Sequence, residues 1–184
     1  MALSKIDVAN MLTGATPVAN GGTALTSGFV NGLTVVEEWL LTSNKTSAGD
    51  ITANLAISGI SGLGNINPGM SESSGVFTFP STGIYFVLAK VEFQITTADN
   101  QCTVFIEVTQ DNSSYDRVAR SLSGDGTSNG VVSSGCSFAL VDVTDVSNVK
   151  IKFTVDSTTL SGKAIFGASS ENRTSFYFTR VGDT

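Results

Sequence analysis

Histidine is absent from this chain, and charge is scarce: Asp, Glu, Lys and Arg together make up 14% of 184 residues. Without histidine the commonest general base and zinc ligand are missing, which argues against most hydrolytic and metal-dependent enzymes before any motif is sought. A net charge of -6 leaves no basic footprint for nucleic acid. No apolar run is long enough to span a bilayer, so membrane insertion is not expected. The opening MALSKIDVANMLTG has a single Lys and no continuous apolar core, unlike a secretory signal, and folding in a cytoplasm is expected. The two cysteines, Cys102 and Cys136, make no disulfide framework. Both fall at strand positions that read as inward, so free, buried thiols are expected rather than a disulfide. With 41% hydrophobic residues and so little charge, the surface has to be built from Ser, Thr, Asn and Gly. That composition suits an all-β protein rich in turns and not a charge-driven disordered chain.

What is present divides into two parts. Residues 1–32 read as an N-terminal arm. Ser4 and Asp7 could cap a short helix running to Met11 or Leu12 and ended by Gly14. Beyond it, TPVANGGTALTSGFVNG has no sustained period and reads as extended. Ile6, Val8, Met11 and Leu12 are the arm's only clustered apolar side chains and its expected anchors. A helix that short is marginal alone, so order in the arm would have to come from docking on the head or on another protein.

Residues 33–184 read as the head. LTVVEEWLL, a piece within Ile51–Ile57, GVFTFP, IYFVLAKVEFQI, CTVFIEVTQ, YDRVARSL, VVSSGCSFALVDV, NVKIKFTVD, KAIFGAS and TSFYFTRV are strand-like. Turn chemistry separates them: PSTG, TADNQ, QDNSS, SGDGTSNG and DVSN. So many short strands with no helical period predict a two-sheet antiparallel jelly-roll sandwich.

Alternation assigns the faces. In NVKIKFTVD, Val149, Ile151, Phe153 and Val155 alternate with Lys150, Lys152 and Thr154, which means one solvated face. Cys102, Val104, Ile106 and Val108 behave the same way in CTVFIEVTQ. In IYFVLAKVEFQI, the parity of Tyr85, Val87, Ala89, Val91, Phe93 and Ile95 is core, yet Phe86 and Leu88 on the other parity are apolar too. GCSFALV carries Cys136, Phe138 and Leu140 on one side and Ser137, Ala139 and Val141 on the other, and TSFYFTR sets Phe176 and Phe178 opposite Tyr177. A two-layer sandwich has no room for a second buried face inside one subunit. Single exposed apolar residues are ordinary, but three strands sharing the feature point to burial by other subunits, through Phe86, Leu88, Ala139 and Tyr177.

Chemistry is thin. SGDGTSNG has glycines but no following helix and reads as a hairpin loop, not a phosphate cradle. Asp99, Asp111, Asp116 and Asp125 sit in or beside loops, where some could meet around calcium; solvated turn aspartates are the favoured reading. Glu37 and Glu38 are adjacent on a strand, hence on opposite faces, and make a poor acid–base pair. The acceptor patterns at Asn44, Asn112 and Asn172 are expected to be chance in a Ser/Thr-rich chain. Neither a catalytic site nor a cofactor is expected.

The stretch GVFTFPSTGIYFV resembles the hallmark of the globular heads of the complement and tumour-necrosis-factor superfamily, in which G-x-F-x-x-P-x-x-G-x-Y joins two strands. NRTSFYFTRVG resembles that superfamily's closing strand, with Tyr177 where a small Gly is common. The resemblance implies a ten-stranded jelly roll in a tight homotrimer, with the doubly apolar strands facing the threefold axis. In the arm, PVANGGTALTS resembles linkers of bacteriophage tail-fibre and other virion proteins, and TSFYFTRVGDT resembles phage virion jelly rolls. These imply a structural protein on the virion surface, assembled in the host cytoplasm. Its partners would be itself and, through the arm, other capsid or tail proteins. Capsid decoration is the first reading. The alternative is a tail-fibre adhesin whose loops bind a host surface glycan or protein.

Overall fold

The computed structural model describes residues 33–66, 69–95, 100–125, 131–156 and 163–184. The short helix expected in the arm, and the anchors Ile6, Val8, Met11 and Leu12, lie outside the described residues. Twelve strands are described: β1 (Val36–Leu41), β2 (Gly49–Asp50), β3 (Leu55–Ile57), β4 (Ser71–Ser73), β5 (Val76–Thr78), β6 (Gly83–Ile95), β7 (Asn100–Thr109), β8 (Tyr115–Asp125), β9 (Val131–Val143), β10 (Lys150–Asp156), β11 (Lys163–Ile165) and β12 (Ser175–Gly182). They form two antiparallel sheets facing each other, the all-β sandwich expected. The first runs β9–β6–β12–β1–β3, with β11 continuing the β12 edge of β6. The second runs β8–β7–β10–β5–β4, with β2 on the β5 edge of β10.

Strict alternation fills the space between them. Tyr85, Val87, Ala89, Val91 and Phe93 of β6, Phe176 and Phe178 of β12, Cys102, Val104 and Ile106 of β7, and Ile151, Phe153 and Val155 of β10 are all buried. At the centre Phe153 and Phe176 stack at 3.9 Å between ring centroids, and Phe77 meets Trp39 edge-on at 5.2 Å. Glu37 also points inward, where its Oε2 accepts hydrogen bonds from Trp39 Nε1 (2.8 Å) and the Met70 amide (2.7 Å). Glu37 and Glu38 therefore do lie on opposite faces.

The Gly75–Tyr85 stretch has a steric explanation. Gly75 has φ +85°, and a Cβ there would sit 2.3 Å from the Ile51 carbonyl oxygen. Gly83, with φ +140°, is pressed equally closely by Arg180 and the Gly182 carbonyl. Between them Phe77 and Phe79 are buried, and Tyr85 donates its hydroxyl to the Ser81 carbonyl (3.0 Å), fastening the crossover from one sheet to the other.

Strand direction gives the head two distinct ends. β1 begins at Val36 beside Thr179, and β12 finishes at Gly182 beside Ile84, so the chain enters and leaves the head at one end. At the opposite, distal end lie Ile95 against Val131 and Asn100 against Asp125. The segment after β1 also belongs there, because Lys45 bridges Ile165, which pairs with Phe93.

Candidate functional site

The face of the β6 sheet that looks away from the core can be read off the pairing register as cross-strand rows. Nearest the entry end lies Ile66–Val36–Thr179–Phe86–Leu140. Next is Glu38–Tyr177–Leu88–Phe138, then Leu40–Ser175–Lys90–Cys136, then Glu92–Ser134. The face thus grades from apolar at the entry end to polar towards the distal end. Phe138 and Leu140 are 64% and 67% exposed, and Phe138 stacks on Phe86 at 5.6 Å. Beside them Phe86, Leu88, Lys90, Cys136, Tyr177 and Thr179 line a shallow depression of about 410 Å³. Left in water, the Phe138 and Leu140 side chains forgo about 1.5–3 kcal/mol each of transfer free energy, a sizeable sum beside the net stability of a domain.

Of the four side chains expected on this face, Phe86, Leu88 and Tyr177 are there and Ala139 is not. Ala139 pairs with Val87 and packs against the core, while Phe138 and Leu140 take the outward positions. The same reversal moves Cys136 outward: Cys102 is buried, but Cys136 is exposed, and neither forms a disulfide. The cause is the narrow edge where β9 meets β8. There Ser121 Oγ donates to Ser137 Oγ at 3.0 Å, Ser123 and Ser133 are hydrogen-bonded, and a Cβ on Gly135 would already touch Phe93 and Ser121 at 3.5 Å. Small side chains line that corner, while Phe138 and Leu140 take the opposite parity and face out.

The polar part of the face turns on Asn172. Its Nδ2 donates to Glu38 Oε1 and to the Tyr177 hydroxyl (2.6 Å). Its Oδ1 accepts from Ser175 Oγ (2.8 Å) and Lys90 Nζ (3.1 Å), and Lys90 also reaches the Asn172 carbonyl at 2.6 Å. One loop residue thereby ties together β1, β6 and β12. Burial raises the Tyr177 hydroxyl above its ordinary pKa, and the Glu38 carboxylate beside it acts in the same direction. With both amide hydrogens committed, Asn172 is closed to glycosylation in the folded head.

The outward face of the β10 sheet is different: its charges satisfy each other. Glu107 lies between Arg117 (3.1 Å) and Lys152 (3.4 Å), Lys152 pairs with Asp50 (3.0 Å), and Arg117 pairs with Asp156 (3.0 Å) while covering the Phe105 ring at 3.9 Å. Val118 and Leu122 remain exposed on β8. The loop aspartates do not gather at one end. Asp111 and Asp116 flank the β7–β8 turn at the entry end, Asp125 lies at the distal end, and Asp99 is outside the described residues. Asp111 accepts from the Ser113 and Ser114 amides (2.9 and 2.8 Å), which hold its carboxyl well below the usual range. It is a turn aspartate.

No protein-family model matches the chain, and no curated protein matches it. Solved structures do. Murine APRIL superposes with a TM-score of 0.56 at 9% identity, over 79% of this chain and 98% of that one. Eiger TNF from S. frugiperda gives 0.57 at 12% identity, over 82% and 94%. The head is a TNF-like jelly roll. At these identities the likeness is one of fold.

Replacing Asn172 tests the polar cluster. Asn172→Ala strips the buried Glu38 carboxylate of its amide donor and Lys90 of its side-chain acceptor, leaving it only the backbone carbonyl, and it should lower stability by about 2–3 kcal/mol in chemical unfolding at neutral pH.

Proposed function

We propose that this chain is a non-enzymatic structural protein: a homotrimeric jelly roll on the surface of a bacteriophage particle, anchored by its N-terminal arm and decorating or cementing the capsid. The observation that carries the trimer is the row of Phe86, Leu88, Phe138 and Leu140 on the outward face of one sheet. The other sheet meets water with a mutually paired set of charges, so the two faces suit opposite surroundings. The resemblance of Gly75–Tyr85 to complement and tumour-necrosis-factor heads supports a threefold arrangement. The PVANGGTALTS resemblance supports the phage particle, and entry of the chain at one end of the head suits an anchored arm with a displayed distal end. A second reading, a tail-fibre adhesin binding a host glycan, is favoured by one observation, a polar hollow at the distal end.

Cys136 is a built-in probe of the assembled face. In native wild type at micromolar concentration it should resist alkylation, although it is exposed in one subunit. Leu88→Asp would set like charges in a desolvated contact and should restore rapid labelling. Rapid labelling of the native wild type would show that this face is open to water and defeat the trimer reading.

Deleting residues 1–32 should leave a folded head with nearly unchanged melting temperature but abolish co-sedimentation with particles that lack the endogenous copy. If the truncated head still binds particles as well as the full chain does, the arm is not the attachment device.

A further inference from the structure

We propose that the hollow enclosed by residues 41–54 at the distal end binds one neutral pyranose ring, the end of a surface glycan. This deepens the adhesin reading above and rests on it for biological meaning, though not for the binding itself.

The hollow is built and held. The Thr42 amide (2.7 Å) and Thr42 Oγ1 (3.1 Å) both donate to the Asn54 carbonyl, closing the segment on itself. Lys45 exchanges two backbone hydrogen bonds with Ile165, each 2.9 Å, and the Gly167 amide donates to Asn44 Oδ1 at 3.0 Å. The walls are thereby fastened to the sheet. Two residues take left-handed backbone, Gly49 at φ +98° and Asn54 at φ +61°. Asn is the non-glycine residue that bears this conformation best, yet it is still a cost kept at one point of the loop.

The hollow is open to solvent on one side and has a volume of about 170 Å³, room for one sugar ring and little more. Asn44, Lys45, Thr46, Ser47, Thr52 and Asn54 line it. Among the described residues the side chains of Thr46, Thr52 and Asn54 make no hydrogen bond, so they are free to meet a ligand. Hydroxyls and amides each donate and accept, as every hydroxyl of a pyranose does. An anion would need an excess of positive charge. Among the described residues lining the hollow the one cation is Lys45, which donates to Ser47 Oγ at 3.3 Å. A neutral polyol fits that balance better.

Among the described residues no aromatic side chain lines the hollow. A ring held by hydrogen bonds alone should bind weakly, with Kd on the order of 1 mM. Three copies in one trimer raise the apparent affinity for a branched or repeating glycan by roughly 10²–10⁴.

The test is amide NMR of the full chain titrated separately with D-glucose, D-galactose, N-acetylglucosamine and L-rhamnose, with inorganic phosphate as the anionic arm. At least one neutral sugar should shift the Gly49 and Asn54 amides saturably in the millimolar range. Asn54→Gly keeps the left-handed turn but deletes the side-chain amide, and it should weaken that binding about 10-fold or more. The proposal is overturned if none of the four sugars moves these amides at about 100 mM, some hundredfold above the expected Kd, if phosphate alone does so, or if Asn54→Gly binds equally well. Sedimentation of the same samples separates the outcomes. A trimer that ignores sugars defeats this proposal alone, and a monomer that binds them defeats only the trimer.

Discussion

Along β6 and β9 an unbroken antiparallel ladder sets Val87 opposite Ala139, Leu88 opposite Phe138 and Phe86 opposite Leu140. That register decides which side chains reach water. Because side chains alternate, a slip of one residue would turn Phe138 and Leu140 inward, into a corner lined by the small residues Ser121, Ser137 and Gly135. The narrow β8–β9 edge thus pins the ladder, and the ladder puts an apolar surface on the outside of one sheet. The same constraint leaves Cys136 exposed.

The two outward faces settle their energetics in different ways. On the β10 sheet, Glu107, Arg117, Lys152, Asp50 and Asp156 pair among themselves. The exposed Arg117–Asp156 pair contributes little to stability, while the buried Glu107 carboxylate is held between its two cations, and together they leave a surface content in water. On the β6 sheet, the apolar side chains Phe86, Leu88, Phe138 and Leu140 have no such partner, whereas the Asn172 cluster and the Arg173–Glu92 pair are satisfied internally. Burying that face against copies of the chain would remove apolar area from water while keeping Lys90 and Glu38 paired. A buried, hydrogen-bonded polar cluster beside an apolar patch can also fix how copies align.

Much of this was legible in the sequence. The alternation in NVKIKFTVD and CTVFIEVTQ gave the inward residues of β10 and β7 correctly, because one parity is clearly polar. The Gly75–Tyr85 motif was expected to join two strands, and it does, carrying the chain from one sheet to the other past Gly75 and Gly83 in left-handed backbone and the Tyr85–Ser81 hydrogen bond. GCSFALV was not legible. Both of its parities are apolar or small, and its orientation depends on partners that no single strand reveals. The structural role of Asn172 was not legible for a related reason: it is 82 residues from Lys90 and 134 from Glu38, and nothing local distinguishes it from a solvated loop amide. β4 was missed because SES carries no apolar signal.

Everything said of the outward β6 face comes down to whether copies of the chain cover it. Sedimentation equilibrium of the full chain at micromolar concentration measures this directly. A single species of about 57 kDa, three times the 19.0 kDa of one chain, is the expected result. A species of 19.0 kDa that persists up to high micromolar concentration would mean that Phe138 and Leu140 stay in water, and would contradict it.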